Sequence, residues 1–458
     1  MKRQVTLVVS MFLLLAHWAS TTGLSAAEPT AVARAPQRVF LPAALRGYRP
    51  PAPCLPLFGP ERVLLTIDTP ASIELLRTAD LNGDAWTDAI VARMVWESLQ
   101  TFEITILLND QQGGLVDATH QVFEGPVTRV QHPSEILLCD FNGDGRTDVF
   151  IADHGKDAPP SPGAQNVLVL SVPGGKLVDA TAGLPQQLDN THRAAAADID
   201  ADGDIDLYVA NIWGQNGFPP AIWLNSDGLG TFTAATGRLP YPLEDLSYGA
   251  YTTCEFVDVN NDASPDLVLG DAGDDLQGGP DSLVLLNDGG GRFSVLSSAM
   301  PSKPFAESDV ALGIDATDIN NDGYQDLLMV FTRESYIGRY IQVLINNGDG
   351  TFVDETSTRI SQTYDDGWLR YLQLLDLNYD GYVDLVAQRM AGPGPMFYLN
   401  NAHGAFSEWG HGLDLANFDF LDIDRDGRWD VLNSGDAFAG SPEWHAIRRH
   451  IGCQDTAP

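Results

Sequence analysis

Short apolar runs of four to six residues recur along the chain, separated by stretches rich in Asp, Asn and Gly. Glu135-Ile136-Leu137-Leu138-Cys139, Val149-Phe150-Ile151-Ala152, Leu207-Tyr208-Val209-Ala210, Leu267-Val268-Leu269 and Leu372-Gln373-Leu374-Leu375 are examples. Their length, and their share of β-branched and large apolar types, predict strands rather than helices. The runs also come in a fixed order. One leads into an acidic nonapeptide and a second follows it at once. About fifteen to twenty residues later comes a strand–turn–strand segment, such as Val284–Phe293 (VLLNDGGGRF) or Val343–Phe352 (VLINNGDGTF). A Gly/Asn/Asp turn between two such runs reads as a hairpin.

The nonapeptide is Asp-x-[Asn/Asp]-x-Asp-x-x-x-Asp. It starts at Asp80, Asp140, Asp198, Asp258, Asp318, Asp376 and Asp422, at spacings of 60, 58, 60, 60, 58 and 46 residues. Each repeat therefore holds four strands, A to D, with the acidic loop joining A to B. Four-stranded units repeated at this period predict an all-β fold, a seven-bladed β-propeller spanning residues 61–453, with 454–458 as a tail. Six repeats carry a C–D turn, beginning near Asn109, Val172, Asn225, Asn287, Asn346 and Asn400. The seventh lacks one, and its strand C is expected within Trp444–His450. Arg62–Ile67 is a strand with no partner of its own, so it is expected to close the ring as strand D of the last blade. That arrangement brings the two chain ends together and predicts a Cys54–Cys453 disulfide in place of the missing turn. Such bonds contribute about 2–4 kcal/mol. Cys139 and Cys254 lie in strands A of non-adjacent blades and read as buried free thiols.

The N-terminus carries an address. Lys2 and Arg3, the apolar run Val5–Ala16 and Ser25-Ala26-Ala27 form a secretory signal peptide over residues 1–27. Residues 28–60, rich in Ala, Pro and Arg, read as a linker. The apolar run is too short to span a bilayer, so a secreted or cell-surface protein is expected, without membrane insertion and as a monomer. The 62 acidic and 26 basic residues of the 458-residue chain give a net charge of −36. That balance argues against nucleic acid and anionic membrane surfaces as partners.

The acid has an explanation in the loops. Oxygen ligands at alternate positions of a tight turn wrap one hard cation, and calcium accepts six to eight of them. The expected ligands are Asp80, Asn82, Asp84 and Asp88 in the first loop, then Asp140, Asn142, Asp144 and Asp148. Asp198, Asp200, Asp202 and Asp206 follow, then Asp258, Asn260, Asp262 and Asp266. The fifth set is Asp318, Asn320, Asp322 and Asp326, the sixth Asp376, Asn378, Asp380 and Asp384, the seventh Asp422, Asp424, Asp426 and Asp430. Up to seven calcium ions are expected. The loops are not EF-hands, because position 12 never carries Glu and no helix flanks them. Ala85 and Ala263 stand where the other copies have Gly. If the backbone there is left-handed, a side chain costs about 1 kcal/mol, so the first and fourth sites are expected to be the weakest.

The Asp-x-Asn-x-Asp-Gly-x-x-Asp loop followed by an apolar strand resembles the FG-GAP/VCBS repeats of exported bacterial proteins, which are related in fold to the integrin α-subunit propeller. The resemblance covers residues 61–453 and implies calcium at the Asp/Asn sets. The Phe-Gly and Gly-Ala-Pro elements of the integrin form are absent, so binding to a second receptor chain is not implied. The fold also hosts lectins and polysaccharide lyases, so it does not name an activity by itself.

No Gly-x-Ser-x-Gly elbow, His-Glu-x-x-His or phosphate-cradling loop occurs, and no catalytic residue is assigned. The B–C and D–A loops, on the face opposite the acidic loops, hold His132, His154, Lys156, His192, Arg193, Trp213, Tyr248, Arg333, Trp368, Arg370 and Arg389. His192 and Arg370 lie six residues before their acidic loops and are expected at equivalent places near the ring axis. With Arg193, Trp213 and Trp368 they form a candidate ligand set suited to an acidic sugar or a carboxylate-bearing peptide. The expectation is an exported calcium-binding module for carbohydrate or an extracellular protein. One alternative is a polysaccharide lyase or hydrolase, with His192, Arg193 and Arg370 supplying base and charge stabiliser. Another is a structural protein of an extracellular assembly.

Overall fold

In the computed structural model the described residues are 55–454 except 68–72, 96–97, 157–160, 213–217, 245–250, 274–280, 304–308, 334–337, 363–368, 390–393, 411–412, 414, 416, 435–442 and 449. The signal segment, most of the linker and Cys54 lie outside them.

Seven four-stranded antiparallel sheets follow one another along the chain. Strands A to D of blade 1 are Ile73–Ala79, Asp88–Met94, Thr105–Asn109 and Leu115–Asp117. Blade 2 is built from Pro133–Cys139, Asp148–Asp153, Val167–Val172 and Lys176–Asp179, and blade 3 from Thr191–Ala197, Asp206–Asn211, Ala221–Leu224 and Thr233–Ala235. Blade 4 comprises Tyr251–Val257, Asp266–Asp271, Leu283–Asn287 and Phe293–Val295, and blade 5 Val310–Thr317, Asp326–Thr332, Arg339–Asn346 and Phe352–Asp354. Blade 6 comprises Leu369–Leu375, Asp384–Arg389, Met396–Asn400 and Phe406–Trp409. Blade 7 takes Asn417–Leu421, Asp430–Ser434 and Glu443–Arg448 from the C-terminal end and Arg62–Ile67 from the N-terminal end, so the ring is closed by the strand expected to close it. The fold is an all-β, seven-bladed propeller with almost no helix.

Burial explains why the strand runs are continuous rather than alternating. Each blade is covered on both faces by its neighbours, so strand B of blades 2, 3, 4 and 5 is buried at every residue. The apolar clusters lie between blades. Leu75, Ile90 and Ile106 of blade 1 pack with Val149, Ile151 and Val169 of blade 2. Leu421 and Leu432 of blade 7 pack with Leu76, Val91 and Leu107 of blade 1, which buries the closing seam as deeply as any other.

The inner rim carries a second kind of link. Strand A of blades 2 to 6 bulges at the residue six before its acidic loop, which is Ser134, His192, Thr252, Leu312 and Arg370. The bulge frees backbone carbonyls for the next blade. The Ser134 hydroxyl donates to the Thr191 carbonyl at 2.7 Å, His192 Nδ1 meets the Thr252 carbonyl at 2.7 Å, and the Thr252 hydroxyl donates to the Ala311 carbonyl. Just below, Glu135 is buried and bridges two arginines, Arg77 at 3.2 Å and Arg193 at 3.1 Å. Arg193 also donates to the Ser134 carbonyl and, at 3.1 Å, to the Leu312 carbonyl of blade 5.

Two features depart from expectation. Within the segment read as linker, Leu55–Phe58 forms a strand that pairs with His450–Gln454, setting Pro56 opposite Cys453. Strand C of blade 7 is Glu443–Arg448, and the chain runs on from it into that added ribbon, because Leu55, Pro56 and Leu57 offer it a second extended edge. The proposed bond to Cys54 falls outside the described residues, and no disulfide occurs among them. Cys139 and Cys254 are free thiols; Cys254 is buried and Cys139 half-buried.

Replacing Glu135 by Ala removes the buried carboxylate that two buried guanidinium groups share. We expect a loss of about 3–5 kcal/mol, read by denaturant unfolding. A loss below 1 kcal/mol would show that the axial ion pairs are dispensable.

Candidate metal centres

The seven acidic loops share one geometry. Each begins one residue after strand A and ends on the first residue of strand B. The first Asp accepts two backbone N–H groups in every loop, on Oδ1 from position 5 and on Oδ2 from position 6, at 2.7–3.1 Å. Position 5 accepts the N–H of position 7 at 2.8–3.1 Å. Where position 3 is Asn, its Oδ1 accepts the N–H of position 5. These side chains curl the backbone into the same turn in every copy.

The curl requires left-handed backbone at two positions. Position 6 has φ +67 at Ala85 and +71 at Ala263, and +81 to +98 at the five glycines. Position 4 is left-handed too, at Gly83, Gly143, Ala201, Asn261, Asn321, Tyr379 and Arg425. The requirement at position 6 is readable from the run of glycines. The one at position 4 is not, because its occupants are so varied.

Position 9 does more than end the loop. Its Oδ2 accepts the N–H of position 2, at 2.9–3.3 Å, in all seven copies. Its Oδ1 accepts a backbone N–H from strand C or just after it, at 2.7–2.9 Å: Asn109, Ser171, Asn225, Asn287, Asn346, Asn400 or His450. The five Asn residues of that set then reach into the preceding blade. Their Nδ2 groups donate to the position-2 carbonyl of its acidic loop: Asn109 to Ile423, Asn225 to Phe141, Asn287 to Ile199, Asn346 to Val259 and Asn400 to Ile319, at 2.7–3.0 Å. Sequence reading had these asparagines only as the start of a turn. Their signal is a near-constant place before the end of the turn: four residues before a Gly-x-Phe in blades 4, 5 and 6, five in blade 3, and four before Gly-Gly-Leu in blade 1. Between blades 6 and 7 the link is Trp429, whose indole N–H donates to the Asp376 carbonyl at 2.9 Å.

Burial is the main influence on the loop carboxyls. Burial, opposed in part by the two N–H donors and aided by the neighbouring carboxylates, pushes the position-9 carboxyl to about 7 in Asp88, Asp206, Asp266, Asp326 and Asp430. It reaches about 6 in Asp148 and about 8 in Asp384. In the third loop Asp198, Asp200 and Asp204 are raised as well, by burial and then by Asp202. Carboxylate oxygens of Asp198, Asp200 and Asp206 lie within 4.8 Å of one another, as do those of Asp422, Asp424 and Asp426. Asp200 Oδ1 is buried and has no hydrogen-bond partner. The other oxygen, Asp200 Oδ2, lies 3.7 Å from the Arg238 guanidinium, and a buried acceptor left bare beside several carboxylates fits a hard cation of the calcium type.

The opposite face is described in part. Trp213, Tyr248 and Trp368 lie outside the described residues, and so do the side chains of Arg370 and Arg389. His192 is held against the Thr252 carbonyl and forms a ladder of rings with His154 (5.7 Å) and, beyond it, His132 (5.5 Å from His154). Burial first, then His154 and Arg193, drive the His192 imidazole down to about 3, so it is neutral. Arg193 points into the ring, in the ion pair with Glu135.

The class of protein is thus a propeller whose blades are each pinned by an acidic loop. The chain belongs to the FG-GAP-like repeat family, whose model matches residues 80–151, 140–209, 258–329 and 318–387, together more than half of its length. No curated protein matches it. Among solved structures it is similar to BBS1N from a complex with ARL6DN, at 10% identity and TM-score 0.48, covering 89% of this chain and 99% of that one. It is also similar to the Dos1 propeller, at 10% identity and TM-score 0.44, covering 86% and 95%. A third is the rhamnogalacturonan lyase PL11 of Bacillus licheniformis, at 13% identity and TM-score 0.42, covering 86% and 74%.

Ala85→Gly and Ala263→Gly remove a side chain from left-handed backbone. Each is expected to stabilise the protein by about 1 kcal/mol in chemical denaturation; destabilisation would mean the methyl groups are needed for packing. The raised carboxyls give a pH prediction. Their folded values of about 6 to 8 exceed the usual 3.8, so the folded state holds more protons than the unfolded one between those limits. Stability of the metal-free protein therefore falls as pH rises from about 4 to 8. Denaturation midpoints in chelator should be higher at pH 5 than at pH 8, and equal midpoints would contradict the buried-carboxylate account.

Proposed function

We propose that the protein is an exported calcium-binding propeller, stabilised by up to seven ions, that acts as a binding or adhesion module for carbohydrate or an extracellular protein partner. The observation that carries the metal part is the third loop, where converging carboxylates and the unpartnered Asp200 Oδ1 leave charge that a cation would neutralise. In that loop Asp198, Asp200, Asp202 and Asp206 would hold the ion, and its charge would relieve the repulsion among them. Export is supported by the signal-like N-terminus. A binding role, rather than lyase or hydrolase chemistry, is supported by the state of the axial groups. His192 is neutral, half-buried and already bonded, and an imidazole held near 3 is a weak general base. Arg193 is engaged with Glu135 and so is spent as a charge stabiliser.

Chelation should lower the melting temperature sharply and calcium should restore it. Each site held at 100 times its Kd contributes about 2.7 kcal/mol. An unchanged melting curve after metal removal would refute the calcium reading. With calcium present, the protein should be retained on one class of immobilised glycan or extracellular protein without releasing products. Accumulating products would make it an enzyme.

A further inference from the structure

We propose that the asparagines closing strand C couple neighbouring calcium loops, in one run from loop 2 to loop 6 and a second that joins loops 7 and 1, with breaks between blades 1 and 2 and between blades 6 and 7. The inference rests on the calcium reading above and extends it from single sites to the set.

The connection is continuous in hydrogen bonds. The position-9 Asp of one blade holds the backbone N–H of its own strand-C Asn. The side chain of that Asn holds the position-2 carbonyl of the preceding loop. The N–H of that same position-2 residue is in turn bonded to the preceding position-9 Asp. Within each run a position-9 carboxylate is thus tied to the next through one side-chain amide and one peptide. Opening a metal-free loop, driven by repulsion among its carboxylates, releases the Asn and slackens the neighbour that the Asn holds. Filling one site removes part of the ordering cost of the next, which is positive coupling and is reciprocal.

In blade 7 His450 takes the place of the Asn, and the break between blades 1 and 2 lies at one residue. Blade 2 has Ser171 where blades 1, 3, 4, 5 and 6 have Asn. Its backbone N–H still bonds Asp148, at 2.7 Å, but its hydroxyl turns back to the same carboxylate at 3.1 Å. Among the described residues it makes no hydrogen bond to the loop of blade 1. Loop 4 therefore has a linked neighbour on each side, whereas loop 2 is linked only to loop 3.

Calcium titration of the purified full chain by calorimetry, with bound ions counted by native mass spectrometry, tests this. Asp262→Asn in loop 4 should remove its own ion and weaken two others by at least about fivefold, the lower end of ordinary coupling. Asp144→Asn in loop 2 should remove its own ion and weaken one. Adding Asn287→Ala to Asp262→Asn should return one of the two weakened sites to normal. Adding Ser171→Asn to Asp144→Asn should weaken a second site. Ser171→Asn installs the residue that five other blades carry at this place, so it decides the matter even if Asn287→Ala folds poorly. Both added changes are charge-neutral, so long-range electrostatics cannot mimic their effects. Loss of one ion with no shift elsewhere, or equal numbers of shifted sites for loops 2 and 4, would overturn the coupling while leaving the calcium sites standing. A wild-type chain that takes up no calcium would overturn the calcium reading itself.

Discussion

The buried carboxylate at the ninth position of each acidic loop is the constraint on which the molecule depends. It sits at the first residue of strand B with almost no exposure, and each of its oxygens receives one backbone N–H. One donor belongs to its own loop and the other comes from strand C or just after it. A single side chain thereby fixes where strand A stops, where B starts and how C aligns with B. Burying a carboxylate is unfavourable unless it is well bonded, and here both its bonds are to backbone that would otherwise be unpaired.

Packing between blades supplies most of the favourable energy, but apolar contact is non-directional and does not set one blade's height against the next. Two polar ladders do. At the face of the acidic loops the strand-C asparagines tie blades 1, 3, 4, 5 and 6 each to the one before it. At the inner rim the bulged residues of strand A tie blades 2, 3 and 4 each to the one after it. The junction between first and last blades uses the same devices: Asn109 donates to the Ile423 carbonyl, the Arg425 guanidinium lies 5.3 Å over the Trp86 ring, and Arg62–Ile67 completes the sheet. A ring closed this way leaves the variable loops of the opposite face on a rigid base, which is where propellers have room for recognition.

Much of this was legible in the chain. Seven acidic loops at near-constant spacing, each between two apolar runs, gave blade number, strand order and the role of Arg62–Ile67. The left-handed backbone at Ala85 and Ala263 followed from the glycines at the same place in the other copies. What stayed hidden depends on contacts distant in sequence. Asn287 reads as a turn former until blade 3 is set beside it, and Glu135 reads as one acid among 62 until Arg77 and Arg193 close on it. The bond of His192 to the Thr252 carbonyl depends on a bulge that no local pattern announces. The Leu55–Phe58 ribbon was missed because Pro56 within a short run argues against a strand, and at an edge that objection does not apply.

The central claim is that the ninth-position carboxylate holds loop, turn and metal as one unit. Amide hydrogen exchange at Val259 and Asn287, the two donors to Asp266, measures it most directly. Both amides should be strongly protected in calcium and should lose protection together, by the same factor, when the metal is chelated. Independent exchange of the two amides, or protection indifferent to calcium, would contradict the account.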